Sequence, residues 1–311
     1  MPYYRQVGRI PPKRHTVFSD DDGHRYSEQL MGQEGFSSRS ALLYHRHSPS
    51  AITAIEPLDD PVVGALSADN PLTPRHVQTS QVKSGDDIVT GRRLLLGNAD
   101  VRIAWARSAG PSTDGPLYRN ATGDELIYVQ EGTAVIESVF GRLQVGPGDY
   151  VVMPASTTHR WRHDADLAVL IIETSGHVAP PRRYLSTGGQ FLEHAPYCER
   201  DLRAPTEPLV EEGENVEVVV RNRAGLSRHV HRTHPRRMLS CCQDDRRQRT
   251  LRQRPPHHAY PDPRPDPVPV GFPAVHAQRS TGARPHHRVR RRSPLHRART
   301  RLHIGTRALD Q

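Results

Sequence analysis

Glu125-Leu-Ile-Tyr-Val-Gln-Glu-Gly132 runs into Thr133-Ala-Val-Ile-Glu-Ser-Val139, then Gly141, Gly146-Pro-Gly-Asp149 and Pro154-Ala-Ser-Thr-Thr-His159. Short apolar and β-branched runs alternate here with turn residues, and no helical period fits between the breaks. Working outward, the same texture begins near Ile88. It predicts strands near Arg93–Leu96, Val101–Arg107, Glu125–Gln130, Thr133–Val139, Arg142–Val145, Asp149–Met153, Thr158–Arg162 and Ala168–Glu173, with one more at Val216–Val220. Many short strands at close spacing, with no helices between them, read as an all-β antiparallel barrel or sandwich over residues 86–225. Even the most apolar run, Leu167-Ala-Val-Leu-Ile-Ile172, is strand-sized and too short to cross a bilayer.

The flanks differ from this centre. Residues 1–85 are polar and punctuated by Pro and Gly, with too few apolar residues for a core of their own. They predict an extended amino-terminal arm lying on something larger, with one short helix at Ser27-Glu-Gln-Leu-Met31 ended by Gly32. The 311-residue chain has a net charge of +9, but residues 1–225 sum to −6 and residues 226–311 to +15, with 20 Arg and neither Lys nor Glu. A mildly acidic centre excludes a chain-wide nucleic-acid binder. Pro261-Asp-Pro-Arg-Pro-Asp-Pro-Val-Pro-Val270 favours polyproline II at best, and Arg288-Val-Arg-Arg-Arg292 crowds like charges, so 226–311 reads as a disordered tail. Cys198, Cys241 and Cys242 make no disulfide framework, and the amino end has no apolar signal segment. The expectation is a soluble cytoplasmic protein with no membrane partner.

Glu125 with Gly132 seven residues on, and Pro154-x-Ser-x-x-His159, follow the two cupin motifs, with Ser156 where Gly is usual. In a metal-bearing cupin the first motif also supplies His-x-His shortly before the Glu, so that imidazoles and a carboxylate surround divalent iron or a similar ion. Here those positions hold Tyr118-Arg119-Asn120-Ala121. Arg119 is a cation where a ligand belongs. Glu125 and His159 remain as vestigial metal positions, short of the three protein ligands an open site needs. The preferred reading is that no metal is held, that His159 is a satisfied barrel histidine, and that Glu125 pairs with Arg119 or a neighbouring donor. His45 and His47, either side of Arg46, read as a polar surface loop rather than a ligand pair.

Several blocks in order carry a wider resemblance. The opening Pro2-Tyr-Tyr-Arg-Gln-Val-Gly-Arg-Ile-Pro-Pro-Lys-Arg-His-Thr16, Glu28-Gln-Leu-Met-Gly-Gln-Glu-Gly-Phe-Ser-Ser38, Leu42-Leu-Tyr-His-Arg-His47 and Tyr118-Arg-Asn-Ala-Thr-Gly-Asp-Glu125 resemble bacterial homogentisate 1,2-dioxygenase, from Met1 to about Pro235. The resemblance implies a bicupin architecture, with residues 86–225 as the first cupin. It implies Fe(II), homogentisate and O2 as cofactor and substrates, with ring cleavage to maleylacetoacetate in tyrosine and phenylalanine catabolism. It also implies a homo-oligomer whose amino-terminal arm covers neighbours. The family's iron ligands and its catalytic base lie in the second cupin, beyond the point where this sequence stops matching. No catalytic or cofactor-binding residue carries over, and the chain as it stands is expected to be inactive.

Three readings compete for the tail. A shifted reading frame near Pro235 in a GC-rich gene yields Arg, Pro, His and Ala but seldom Lys or Glu, and the composition favours it. A basic arm binding nucleic acid through phosphates is less favoured, since Tyr260 and Phe272 are its only aromatics. A metal cluster of His229, His231, His234, Cys241 and Cys242 lacks the framework such ligands need. The alternative for the whole chain is a metal-free cupin that binds a small molecule or acts as a scaffold, with Arg119 and His159 lining an anion pocket.

Overall fold

The computed structural model describes residues 11, 17–34, 37–60, 66–68, 71, 73–74, 76–83, 85, 87–187, 190–198, 201–206, 213–233, 238–239, 276–279 and 307–308. Strands carry it throughout: β1 (Ser27–Glu34), β2 (Ser37–His45), β3 (Ile52–Leu58), β4 (Ser67–Ala68), β5 (Arg93–Gly97), β6 (Val101–Ser108), β7 (Leu117–Asn120), β8 (Glu125–Glu131), β9 (Ala134–Ser138) and β10 (Gly141–Val145). They continue with β11 (Asp149–Met153), β12 (His159–Arg162), β13 (Leu167–Thr174), β14 (Leu202–Arg203), β15 (Glu214–Asn222), β16 (Gly225–Thr233), β17 (Met238–Leu239), β18 (His276–Arg279) and β19 (Arg307–Ala308). No helix among the described residues is long and apolar enough to cross a membrane.

A nine-stranded sheet runs β14-β18-β11-β8-β13-β6-β5-β19-β4, and a seven-stranded sheet runs β10-β9-β12-β7-β15-β16-β3. Period-two burial explains how they face each other. In β8, Glu125, Ile127 and Val129 are buried while Leu126, Tyr128 and Gln130 are less so. In β10, Leu143 and Val145 are buried and Arg142 and Gln144 are exposed. Ile127 and Ile171 from one sheet, Ile136 and Trp161 from the other, therefore meet in one core cluster. Gly132, which closes β8, has φ +80, and a Cβ there would lie 2.1 Å from the Asp166 carbonyl oxygen. A tight turn with no side chain is what that corner requires.

Two expectations need correction. Ser27–Met31 is strand rather than helix. β1 pairs with β2 from Ser27↔His45 to Glu34↔Ser37, and Met31, Ala41 and Leu43 join the barrel's core cluster. A five-residue helix is marginal on its own, whereas the hairpin pairs its backbone and buries an apolar row. The tail boundary also moves: Gly225–Thr233 is a full strand, antiparallel to β15 from Glu214↔Thr233 to Asn222↔Gly225 and to β3 on its other side. Its basic composition hid buried positions on both faces, Leu226 on one and Ser227 and His231 on the other. Further on, β17 pairs with β2, β18 with β11 and β19 with β5. The other tail residues assigned to disorder lie outside the described residues.

The residue standing at the motif's glycine position is informative. Ser156 has φ 65, in the left-handed region that disfavours a side chain. It holds the turn from Pro154 to His159, and its amide donates to the Asn120 carbonyl at 2.6 Å. Ser156→Gly should relieve this strain and raise stability by up to about 1 kcal/mol, because glycine's extra unfolded-state freedom offsets part of the gain. A urea midpoint unchanged or lowered in the variant would refute that account.

Candidate functional site

Alternation brings the two motif residues to the inside. Glu125 opens β8 on the face shared with Ile127 and Val129, and His159 opens β12 on the face shared with Trp161; both are fully buried. His159 stands opposite Tyr118 in the register, with their rings edge to face at 5.5 Å. Its Nδ1 lies 2.9 Å from the Thr157 carbonyl oxygen. A carbonyl only accepts, so Nδ1 carries a proton and donates it there.

A second carboxylate completes the pair. Glu173, on the inward face of β13 with Val169 and Ile171, lies directly opposite Glu125 across the β8–β13 ladder. Two like charges in that position repel. The Arg92 guanidinium, buried just ahead of β5, resolves the conflict. Its Nη1 donates to Glu125 Oε1 and to Glu173 Oε1, each at 2.7 Å, and its Nη2 donates to Glu125 Oε2 at 3.2 Å. Its Nε donates to the Ile88 carbonyl, and the guanidinium lies 4.6 Å from the centre of the Tyr118 ring. Tyr118 Oη and Asn120 Nδ2 also donate to Glu125 Oε1, at 2.8 and 3.0 Å. Behind Glu173, Arg221 Nε stands 3.4 Å away while its two terminal nitrogens donate to Asp60 at 2.6 and 3.1 Å.

The charges settle accordingly. Burial alone pushes the Glu125 carboxyl up, but the adjoining Arg92 charge and its hydrogen bond outweigh that and hold it at about 2. Burial works against the Arg92 cation, and Glu125 overrides it, so Arg92 is held charged well above its ordinary range. Burial raises the Tyr118 phenol, keeping it protonated as a donor.

Sequence reasoning gave Glu125 either Arg119 or a neighbouring donor as its partner; the donors are Arg92, Tyr118 and Asn120, not Arg119. Tyr118 and Asn120 point inward with His159, so the intervening Arg119 faces the opposite side of β7. It cannot line one pocket with His159. Burial lowers the Arg119 guanidinium, and among the described residues no hydrogen bond or ion pair reaches it. Glu173 could have been found from its even spacing with Val169 and Ile171. Arg92 could not, because it precedes its strand and no period marks it.

The other histidines separate. His45 ends β2, buried, with Nε2 2.7 Å from Gln29 Oε1, whereas His47 is exposed in the loop that follows. The surface-loop reading thus holds for His47 and fails for His45, whose strand packs inward. His229 and His231 lie on one face of β16, where His229 Nε2 meets Ser227 Oγ at 3.0 Å. His234, Cys241 and Cys242 lie outside the described residues. Among the described residues, one set of three His, Cys or carboxylate groups converges within ligating reach: Asp20, Asp22 and His24, on an exposed turn.

The donor set does not fit the iron that the family resemblance implies. Glu125 Oε1 accepts three hydrogen bonds, more than its two lone pairs accommodate comfortably, and Oε2 accepts a fourth. Glu125, Glu173 and His159 do not converge as a ligand set. The His-x-His stretch supplies an inward phenol and an inward amide, Tyr118 and Asn120, with the cation Arg119 between them on the other face.

Comparison with known proteins bears on the fold. Residues 108–174 match the family described as Cupin domain. A Saccharolobus solfataricus protein described as "Putative dioxygenase SSO1533" is 32% identical over 235 residues, which are 76% of this chain and 60% of that protein. The chain thus spans less than two thirds of that relative's length. Solved structures that align include a cupin-2 domain protein from Shewanella frigidimarina, with 22% identity, 27% of this chain, 78% of that chain and a TM-score of 0.24. Another is hydroquinone 1,2-dioxygenase from Sphingomonas sp. TTNP3 with 4-hydroxybenzoate bound, with 14% identity, 32% of this chain, 72% of that chain and a TM-score of 0.26. The family match covers β7 to β13, the strands that carry Glu125, His159 and Glu173. Residues 108–174 are a cupin domain, and the chain around them has a cupin-type, all-β fold.

Proposed function

We propose that this chain belongs to a cupin-type oxygenase related to homogentisate 1,2-dioxygenase, and that the described barrel is its structural rather than its catalytic part. The 235-residue similarity to a protein described as a dioxygenase supports the oxygenase class. The sequence blocks from Pro2 to Glu125 support homogentisate as the substrate. In that class Fe(II) would supply activation of O2 and of the phenol beside it. No step of that chemistry is assigned to Glu125 or His159.

One observation carries the structural reading: the motif carboxylate is consumed by Arg92, Tyr118 and Asn120. Ring cleavage then needs residues beyond those that match the family. The Arg-rich composition after Pro235 supports a shifted reading frame as the reason they are missing. The test has two parts. Resequencing the codons for His229–Leu251 and translating each frame should reveal another frame with strand texture and a His…Glu…His set. Oxygen uptake by the present chain with homogentisate and Fe(II) should stay at background. Uptake at the rate of an ordinary enzyme, a median near 10 per second, would overturn the proposal.

A further inference from the structure

We infer that the Arg92 guanidinium is the barrel's resident cation, standing beside the motif glutamate in the charge-balancing place that a divalent ion holds in metal cupins. The inference rests on the geometry of the barrel and is independent of the substrate assigned above.

The need for a cation comes from the ladder. Glu125 and Glu173 are register partners on neighbouring strands, both inward and both buried. Their carboxylates cannot both stay ionised in a dry core without a positive charge between them. Arg92 places one nitrogen 2.7 Å from each. The fit is that of a guanidinium rather than a sphere. Glu125 is held through both oxygens, Glu173 through one, and the third side of the fork is tied to the Ile88 carbonyl. A planar fork with fixed N–H directions satisfies this arrangement, and a point charge does not.

Tyr118 and Asn120 strengthen the case. They occupy strand β7 where a metal cupin draws imidazoles, and both donate to Glu125 Oε1 instead of offering lone pairs. Asn120 is itself fixed, since its Oδ1 accepts from the Thr122 amide and hydroxyl at 2.9 and 2.6 Å. Three donors crowd Glu125 Oε1, and Arg92 Nη2 reaches Oε2. Such a shell suits an anion paired with a permanent organic cation, and at Oε1 it competes with a metal for the same lone pairs.

The inference is tested on the full chain by melting temperature and metal content. The wild type, dialysed against Mn(II), Zn(II) or Fe(II), should show no shift in melting and retain no stoichiometric ion. Arg92→Ala should melt lower and recover part of the loss in millimolar guanidinium chloride, beyond the effect of sodium chloride at equal ionic strength. Retention of a stoichiometric divalent ion by the wild type, lost in Glu125→Gln, would overturn the inference, and ion binding unaffected by Glu125→Gln would be assigned to the exposed Asp20 turn. Recovery of Arg92→Ala by a divalent ion and not by guanidinium would also overturn it. Should Arg92→Ala fail to fold, Arg92→Lys decides. It keeps one charge but loses the fork, so it should fold and melt below wild type. An Arg92→Lys chain as stable as wild type would sink the requirement for a guanidinium.

Discussion

Glu125→Ala should destabilise the fold by about 3–5 kcal/mol, the range found when one partner of a buried ion pair is removed. Arg92 would then face Glu173 alone, in a core where its side chain is 2% exposed. The Tyr118 hydroxyl and the Asn120 amide would lose their shared acceptor, and unpaired buried donors cost further free energy. Against a typical domain stability of about 5–15 kcal/mol, this loss is a large fraction. The variant should show a lower urea midpoint and poor folded yield. An unfolding free energy within about 1 kcal/mol of wild type would show that the network is incidental.

The double variant Glu125→Leu with Arg92→Met sharpens the point. Both members of the pair leave together, and the replacements are apolar and of similar volume. Such exchanges are often neutral, because the desolvation cost of the charges disappears along with their attraction. Glu173 keeps Arg221 as a neighbour at 3.4 Å, so it is not stranded. The double change should therefore cost less than either Glu125→Ala or Arg92→Ala. A cost equal to the sum of the singles would mean that the two side chains act independently, against the geometry described here.

How much of this was legible in the sequence depends on which physical signal carried it. The barrel strands were legible because burial on one face imposes a period of two, and Gly and Pro mark each turn. β7 was missed: its four residues Leu117-Tyr-Arg-Asn120 are too short for a period, and they drew attention as a failed ligand motif. β3 was missed because its side chains are mostly exposed, Ile55 at 61%, so no apolar row marks it. At the site, Glu125 and His159 were legible from motif spacing. The cation between the carboxylates was not, because Arg92 reaches Glu125 across 33 residues of sequence and Glu173 across 81. Long-range pairing of that kind is set by sheet register, which a single sequence does not display.

Register also implies an order of events in acid. His45 is buried at the end of β2, and that burial lowers its imidazole from 6.5 to about 4. A depressed folded-state value means that its contribution is complete above pH 6.5 and is lost as pH falls through 4, in total about 3 kcal/mol. Glu125 is held at about 2 against an ordinary 4.5, so its contribution is complete above 4.5 and is lost as pH falls through 2, again about 3 kcal/mol. At pH 4 most of the His45 share is therefore gone while most of the Glu125 share remains. His45 stands opposite Ser27 in the β1–β2 hairpin, and Glu125 stands inside the barrel. The hairpin should loosen first and the barrel should hold to lower pH. Hydrogen-exchange protection factors of Ser27–Glu34 and Ser37–His45 should fall between pH 6.5 and 4, while those of β8 and β13 persist. His45→Gln carries no titrating group and should keep its hairpin protected at pH 4. Equal loss of protection in that variant would place the acid-sensitive step elsewhere.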